Sequence, residues 1–144
     1  MGEKYSEISM LFWLSQAYLG MRTAVLAAFR ESGHTISTEQ HALLDDLWRY
    51  GSSTQSEIAR RTARDAPAVS RLIGALEKAG YVERTSIDRR TNRVSLTIEG
   101  RALHDQLAPI FARIMDESLG SFSEGEKQAA REVLKALARN YSQN

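Results

Sequence analysis

Cysteine is absent from this chain of 144 residues. That removes disulfides, thiolate nucleophiles, thiolate metal sites and cysteine-based redox sensing in one step, and it suits a reducing compartment. Proline occurs only twice, and no stretch is rich enough in Ser or Gly to mark a linker or a disordered tail. Internal repeats and low-complexity tracts are missing as well. The most apolar run, Ile8 to Met21 between Glu7 and Arg22, is shorter than the ~20 residues a membrane-spanning helix needs. It lacks the basic flank and the small-residue cleavage site of a signal peptide, so a cytoplasmic protein with no membrane partner is expected. No Gly-x-Ser-x-Gly elbow, phosphate-binding loop or His-Glu-x-x-His pair occurs. His34, His41 and His104 are too scattered to form a metal-ligand motif. No catalytic residue, metal or cofactor is expected. The chain reads as a binder.

What is present is ordinary in bulk and uneven in placement. The length suits one domain with a real core. A composition of 42% hydrophobic and 26% charged residues is that of a soluble globular protein. The net charge of +1 calls for no acidic partner. Yet the window from Arg60 to Arg93 holds nine of the nineteen basic residues against four acids, a net +5. The remainder holds ten against fourteen, a net −4. A basic face on a neutral protein is the electrostatic footprint of nucleic-acid binding. From charge alone, an ordinary solvated surface is an equal alternative.

Residues 6 to 31 read as a long helix, with Leu11, Leu14, Tyr18, Met21, Val25, Ala28 and Phe29 recurring at spacings of three and four. Phe12 and Trp13 widen that face beyond what one partner covers, which suggests a second subunit. Gly33 ends the helix. Ser37 or Thr38 caps the next one, which runs to about Tyr50 with Leu43, Leu44 and Leu47 turned inward and Trp48 as a further candidate. Gly51 stops it, and Ser52-Ser53 forms a short extended link.

Thr54-Gln55-Ser56-Glu57 is a capping box that opens a helix of two turns, with Ile58 and Ala59 inward and Arg60 and Arg61 outward. Asp65 caps a further helix with Pro67 in its first turn. Val69, Leu72, Ile73 and Leu76 form its buried stripe, and the opposite face collects Pro67, Ser70, Arg71, Gly74 and Lys78. Two helices joined so tightly make a helix-turn-helix, whose second helix fits a major groove. Arg71 suits bidentate bonding to guanine, Ser70 suits a base edge or phosphate, and Gly74 leaves room for close approach. For the helix pair alone, a plain αα-corner explains the pattern at least as well.

The next segment breaks that tie. Tyr81 to Ile87 and Arg93 to Ile98 alternate, with Val82, Val94, Leu96 and Ile98 on apolar faces. Between them Asp88-Arg89-Arg90-Thr91-Asn92 makes a basic hairpin tip. A hairpin directly after a recognition helix is a wing, and an arginine at its tip suits the narrow minor groove. Asp88 is expected to hold Arg90 extended through a charge-assisted hydrogen bond. Thr97 caps a long helix over Ile98 to Leu119, with Leu103, Leu107, Ile110, Phe111 and Ile114 on one face. After Gly120, Ser123-Glu124-Gly125-Glu126 opens a last helix to Asn140 with Val133, Leu134 and Leu137 inside.

The order of elements, together with SRLIGALEKAGYVER, DRR and VSLTIEGRAL, closely resembles the MarR family of bacterial transcription regulators. The match runs over nearly the whole chain, including the tail FSEGEKQAAREVLKALARN. The Asp-x-Arg wing followed by Leu-Thr-x-x-Gly is fairly specific; the helix-turn-helix alone is not. Two departures stand out. The spacing from Arg84 to Asp88 is about two residues shorter than is common in the family, and Ala66 and Ala68 stand where hydroxyl or amide side chains are frequent.

The resemblance implies a mostly α fold with a small β-hairpin: a winged helix-turn-helix flanked by long N- and C-terminal dimerisation helices. Residues 1–36 and 101–144 would form the dimer, and 37–100 the DNA-binding lobe of a single domain. It implies base contact by Arg71 and minor-groove entry by Arg90. Ser70, Pro67, Lys78, Arg60, Arg64, Arg84, Asp88, Arg89 and Arg93 complete the expected DNA-binding set, with Arg60, Arg61, Arg64, Arg84, Arg89 and Arg93 as phosphate contacts or solvated charge. The partners expected are double-stranded DNA, a second copy of the chain and a small phenolic or other aromatic anion whose binding releases DNA. Trp13, Arg22, His41 and Trp48 are the candidates for that ligand; their plainer readings are core tryptophans, an ordinary ion pair and a solvated helix histidine. The rival from another class is a winged-helix protein-interaction module that does not read DNA.

Overall fold

Thirty residues in a row carry no proline, and they form a single helix, α1 (Gly2–Glu31), four residues longer at its start than the periodicity predicts. The computed structural model describes residues 2–141, with side chains from residue 9. Met1, residues 142–144 and the side chain of Ile8 lie outside the described residues. Gly33, at φ +86°, turns the chain out of α1 in a conformation that glycine adopts without steric cost.

The remaining elements are α2 (Thr38–Tyr50), β1 (Ser53–Thr54), α3 (Gln55–Thr62), α4 (Ala66–Lys78), β2 (Val82–Ser86), β3 (Asn92–Leu96), α5 (Ile98–Leu119) and α6 (Glu124–Tyr141). Each helix of the central lobe starts where a side chain satisfies free main-chain N–H groups. Of the two candidate caps for α2 it is Ser37, in a reciprocal box with Gln40. Thr54 and Glu57 cap α3 in the same way, and Asp65 accepts from the Ala68 N–H at 2.7 Å to start α4.

The hairpin pairs Val82 with Leu96 and Ser86 with Asn92. The link before α3 is more than a spacer: Ser53 and Thr54 pair with Val94 and Arg93, making a three-stranded antiparallel sheet in the order β1-β3-β2. The core lies between the C-terminal half of α1, α2, α3, α4, the sheet and α5. Phe29, Leu43, Leu44, Leu47, Ile58, Val69, Ile73, Leu76 and Leu107 are among its largest fully buried side chains. Burying one such side chain contributes roughly 1.5–3 kcal/mol.

Four expectations change. Trp48 is 50% exposed rather than inward, and stacks on His104 at 4.8 Å. Ile98 is the first residue of α5 and is 85% exposed, not part of a strand face. The apolar residues Met10 to Leu14 of α1 are all exposed, so only Val25, Ala28 and Phe29 of its expected stripe are buried. None of the described residues of α6 is buried, so Val133, Leu134 and Leu137 are not inside this chain. Among the described residues, those two helices carry the exposed apolar side chains Met10 to Leu14, Val133 and Leu134.

A tight joint sets the angle of the wing. Thr97 caps α5 by accepting from the Gly100 N–H, its N–H donates to the Tyr81 carbonyl, and its hydroxyl donates to the Gly80 carbonyl at 2.6 Å. The end of α4, the start of β2 and the start of α5 therefore meet at one threonine.

Candidate nucleic-acid interface and ligand cavity

The stripe of Val69, Ile73 and Leu76 turns one side of α4 into the core. Helical geometry then forces Pro67, Ser70, Arg71 and Lys78 outward, and all four are exposed. A Cβ added at Gly74 would meet nothing within 4 Å, so the middle of that face is open to close approach. Arg71, Lys78, Arg89 and Arg90 enter no ion pair among the described residues. Their charge is free for an anionic partner.

The wing is short. Five residue pairs make the ladder, and the tip closes with the Ile87 N–H donating to the Thr91 carbonyl at 2.9 Å. Asp88 organises that tip through the main chain, not through a guanidinium. Its Oδ1 accepts from the N–H groups of Arg90 and Thr91, both at 2.8 Å. Those donors, Arg90 first, hold the Asp88 carboxyl below the usual carboxylate range. The expected bond to the Arg90 guanidinium is replaced by main-chain bonds, so Asp88 fixes where Arg90 leaves the backbone.

Three arginines depart from a loose phosphate-contact role. Arg61 does not point outward as expected. Its guanidinium grips Asp46 with two bonds, of 2.9 and 2.7 Å, and donates to the Ser53 hydroxyl at 2.7 Å. It also lies 4.6 Å above the Tyr50 ring. Arg61 and Asp46 side chains are only 19% and 7% exposed, so this is a structural clamp tying α3 to α2 and β1. Arg84 is held by Glu77 at 3.1 Å. Arg93 is held by the Ser52 carbonyl and hydroxyl, with Glu57 at 3.8 Å. Arg60 is exposed, and Arg64 is half-buried. Ser53 and Asp46 carry no periodic signal, and no feature of the sequence separates Arg61 from its neighbour Arg60.

On the other side of α2 a cavity of about 530 Å³ opens between α1, α2 and α5. Arg22 and His41 line it, as the sequence suggests; Trp13 and Trp48 do not. Trp13 is 66% exposed on the bare half of α1. The walls are instead apolar through Tyr18, Met21, Val25, Phe111 and Met115, with Arg22, Arg49, Arg64 and Asp45 as the charged groups. Tyr18, Met21, Arg22 and Val25 share one helical face, so their grouping was legible; the approach of Phe111 and Arg64 was not. His41 is not a solvated residue. It is buried, stacked on Phe111 at 4.8 Å and tilted against Phe29 at 5.4 Å. Burial, partly opposed by Asp45, lowers its pKa and favours the neutral ring. Among the described residues, no group of three His, Asp or Glu residues is placed to hold a metal. No helix there is long and apolar enough to cross a membrane.

The lobe that carries this arrangement is matched, over residues 36–91, by the model of the MarR family. An uncharacterised HTH-type transcriptional regulator of Bacillus subtilis is 31% identical over 64% of this chain and 68% of its own length. The HTH-type transcriptional repressor NicR of Pseudomonas putida is 30% identical over 71% of this chain and 66% of its own. The chain thus spans about two thirds of the length of each relative. In fold it is similar to a mutant MarR from Escherichia coli complexed with operator DNA, with a TM-score of 0.82 at 18% identity, covering 95% of this chain and 99% of that one. The shared lobe, the relatives and the fold lead to one conclusion: the chain belongs to the MarR family of transcription regulators.

Proposed function

We propose that this protein is a cytoplasmic, homodimeric repressor that binds a pseudo-palindromic site in double-stranded DNA and is released from it by a small aromatic anion. The observation that carries this reading is the placement of unpaired cations on rigid supports. Arg71 stands with Ser70 on the exposed face of α4, and Arg90 stands on a wing tip ordered by Asp88. Arg71 reads guanine in the major groove, and Arg90 probes the adjacent minor groove. Lys78, Arg60 and Arg89 contact phosphate, and Pro67 packs against the backbone at the entry of the helix.

The whole chain acts as one domain. Residues 1–36 and 101–144 pair two copies through the bare faces of α1 and α6, and 37–100 form the DNA-binding lobe. Two recognition helices related by a two-fold axis then sit about 34–36 Å apart, one turn of duplex. The repressor named among the relatives supports occlusion as the mode of control. The apolar cavity with its rim of arginines supports an aromatic anion as the releasing ligand.

Selection of bound sequences from random DNA supplies the operator for the test. On that site Arg71→Ala is expected to cost roughly 1–3 kcal/mol and to relax one base position. Arg90→Ala is expected to weaken all sequences alike and to lower the salt slope by about one. If neither substitution changes binding, the groove assignment is wrong.

A further inference from the structure

Of the residues that line the cavity, Arg64 alone comes from outside α1, α2 and α5. It is the middle residue of the turn between α3 and α4. On one side is Ala63 at φ +52°, a left-handed conformation that residues other than glycine adopt rarely. On the other is Asp65, whose carboxylate caps α4. The Arg64 N–H donates to the Ala59 carbonyl at 3.1 Å, so its main chain belongs to the helix-turn-helix while the residue also lines the cavity.

The charges on that wall are unequal in availability. Arg49 is held by Asp45 at 2.8 Å, and Arg22 pairs with Glu39 at 3.5 Å. Arg64 enters no ion pair among the described residues. Glu39, in the first turn of α2, feels both Arg22 and Arg64. Burial works against its charged form, but the main-chain N–H, Thr38 and those two cations outweigh it and lower its pKa. An incoming carboxylate therefore finds Arg64 as the least neutralised cation, balanced only at longer range by Glu39.

We propose that Arg64 is the relay between the cavity and the recognition helix. A carboxylate in the cavity supplies the close counter-ion that Arg64 lacks, draws the turn inward and shifts the Asp65 cap together with α4. The proposal rests on the cavity being the aromatic-anion site. It adds which residue converts binding into a displaced helix, and it requires the ligand to be charged. Linkage makes the effect reciprocal: DNA that fixes α4 must weaken carboxylate binding by the same factor that the carboxylate weakens DNA binding.

The test uses the full chain with its selected operator, and benzoate, 4-hydroxybenzoate and 1-naphthoate beside their uncharged amides. Ligand affinity is read by calorimetry, and DNA affinity by fluorescence anisotropy with and without ligand. In the wild type, at least one acid is expected to lower DNA affinity by about tenfold or more, within the usual range of coupling, and its amide is not. Arg64→Gln is expected to bind that acid within about an order of magnitude of the wild type, yet to hold DNA equally with and without it. Glu39→Gln is expected to bind the acid several-fold more tightly, because no internal carboxylate competes. Arg64→Lys, which keeps the charge, is expected to retain part of the coupling and guards against a folding defect in the glutamine variant. Full coupling in Arg64→Gln overturns the relay while leaving the cavity reading intact. Complete loss of acid binding in that variant makes Arg64 an anchor and overturns the relay as well. Amides as effective as acids show that charge is not sensed. If none of the acids binds the wild type, the cavity reading itself fails, and the relay with it.

Discussion

The carbonyl oxygen of Tyr81 occupies the space in which a side chain on Gly100 would have to lie, 1.9 Å from an ideal Cβ at that position. The first turn of α5 sits directly on the chain entering the wing, and the two hydrogen bonds made there by Thr97 close the same joint. Backbone cannot give way as a flexible side chain can. Gly100→Ala is expected to destabilise the fold by roughly 2–4 kcal/mol, by the mechanism of overpacking against a fixed neighbour. A melting temperature unchanged from the wild type would show that α5 can slide away from Tyr81.

The clamp of Arg61 on Asp46 tests the difference between a buried pair and a surface one. Removing one partner strands a desolvated charge, so Asp46→Ala is expected to cost roughly 3 kcal/mol or more in denaturant unfolding. The double variant Asp46→Leu with Arg61→Met is expected to recover much of that loss, since apolar packing replaces a pair that was costly to desolvate. Additive losses in the double variant would contradict the clamp.

At the wing tip, Asp88→Ala removes the acceptor for two main-chain N–H groups, whereas Asp88→Asn keeps an oxygen in place. Operator affinity is expected to fall several-fold for the alanine variant and less for asparagine, with the melting temperature little changed. Tighter binding by the alanine variant would mean that repulsion of phosphate outweighs positioning. Because the folded-state pKa of Asp88 is lowered, its ordering of the tip is complete at neutral pH and lost as the pH falls through that lowered value. Amide exchange at Arg90 and Thr91 reports the loss directly.

The bare face of α6 makes a prediction about assembly. Leu134 is 48% exposed in the single chain, so a charge there leaves the core untouched. Leu134→Glu is expected to give a monomer by light scattering, with nearly full helicity by circular dichroism. Operator affinity should drop by about two orders of magnitude or more, because two lobes no longer engage two half-sites together. A dimer that survives this substitution would place the interface elsewhere.

Much of the lobe is legible in the sequence. Capping boxes, the stripe on α4 and the basic hairpin are local patterns, and local patterns set helix starts, buried faces and turns. The failures share a cause. Trp48 satisfies the helical period of α2, yet it is half exposed, with its ring stacked on the buried His104 of α5. Ile98 continues the alternation of β3, but Thr97 already caps α5 and ends the strand. Periodicity states which residues share a face and says nothing about which neighbour covers that face.

The same boundary runs through the site. Sequence alone determined that Ser70 and Arg71 point away from the core of α4, that a short basic wing follows it, and that the terminal helices carry more apolar surface than one chain covers. These follow from spacing, which the chain carries in itself. Tertiary structure alone decided that Arg61 clamps Asp46 while Arg60 is exposed, and that Arg64 lines the cavity with Arg22 and His41. Those assignments depend on which side chains from distant segments come within hydrogen-bond or ion-pair reach. Only the packing of α2 against α1, α3 and α5 sets those distances.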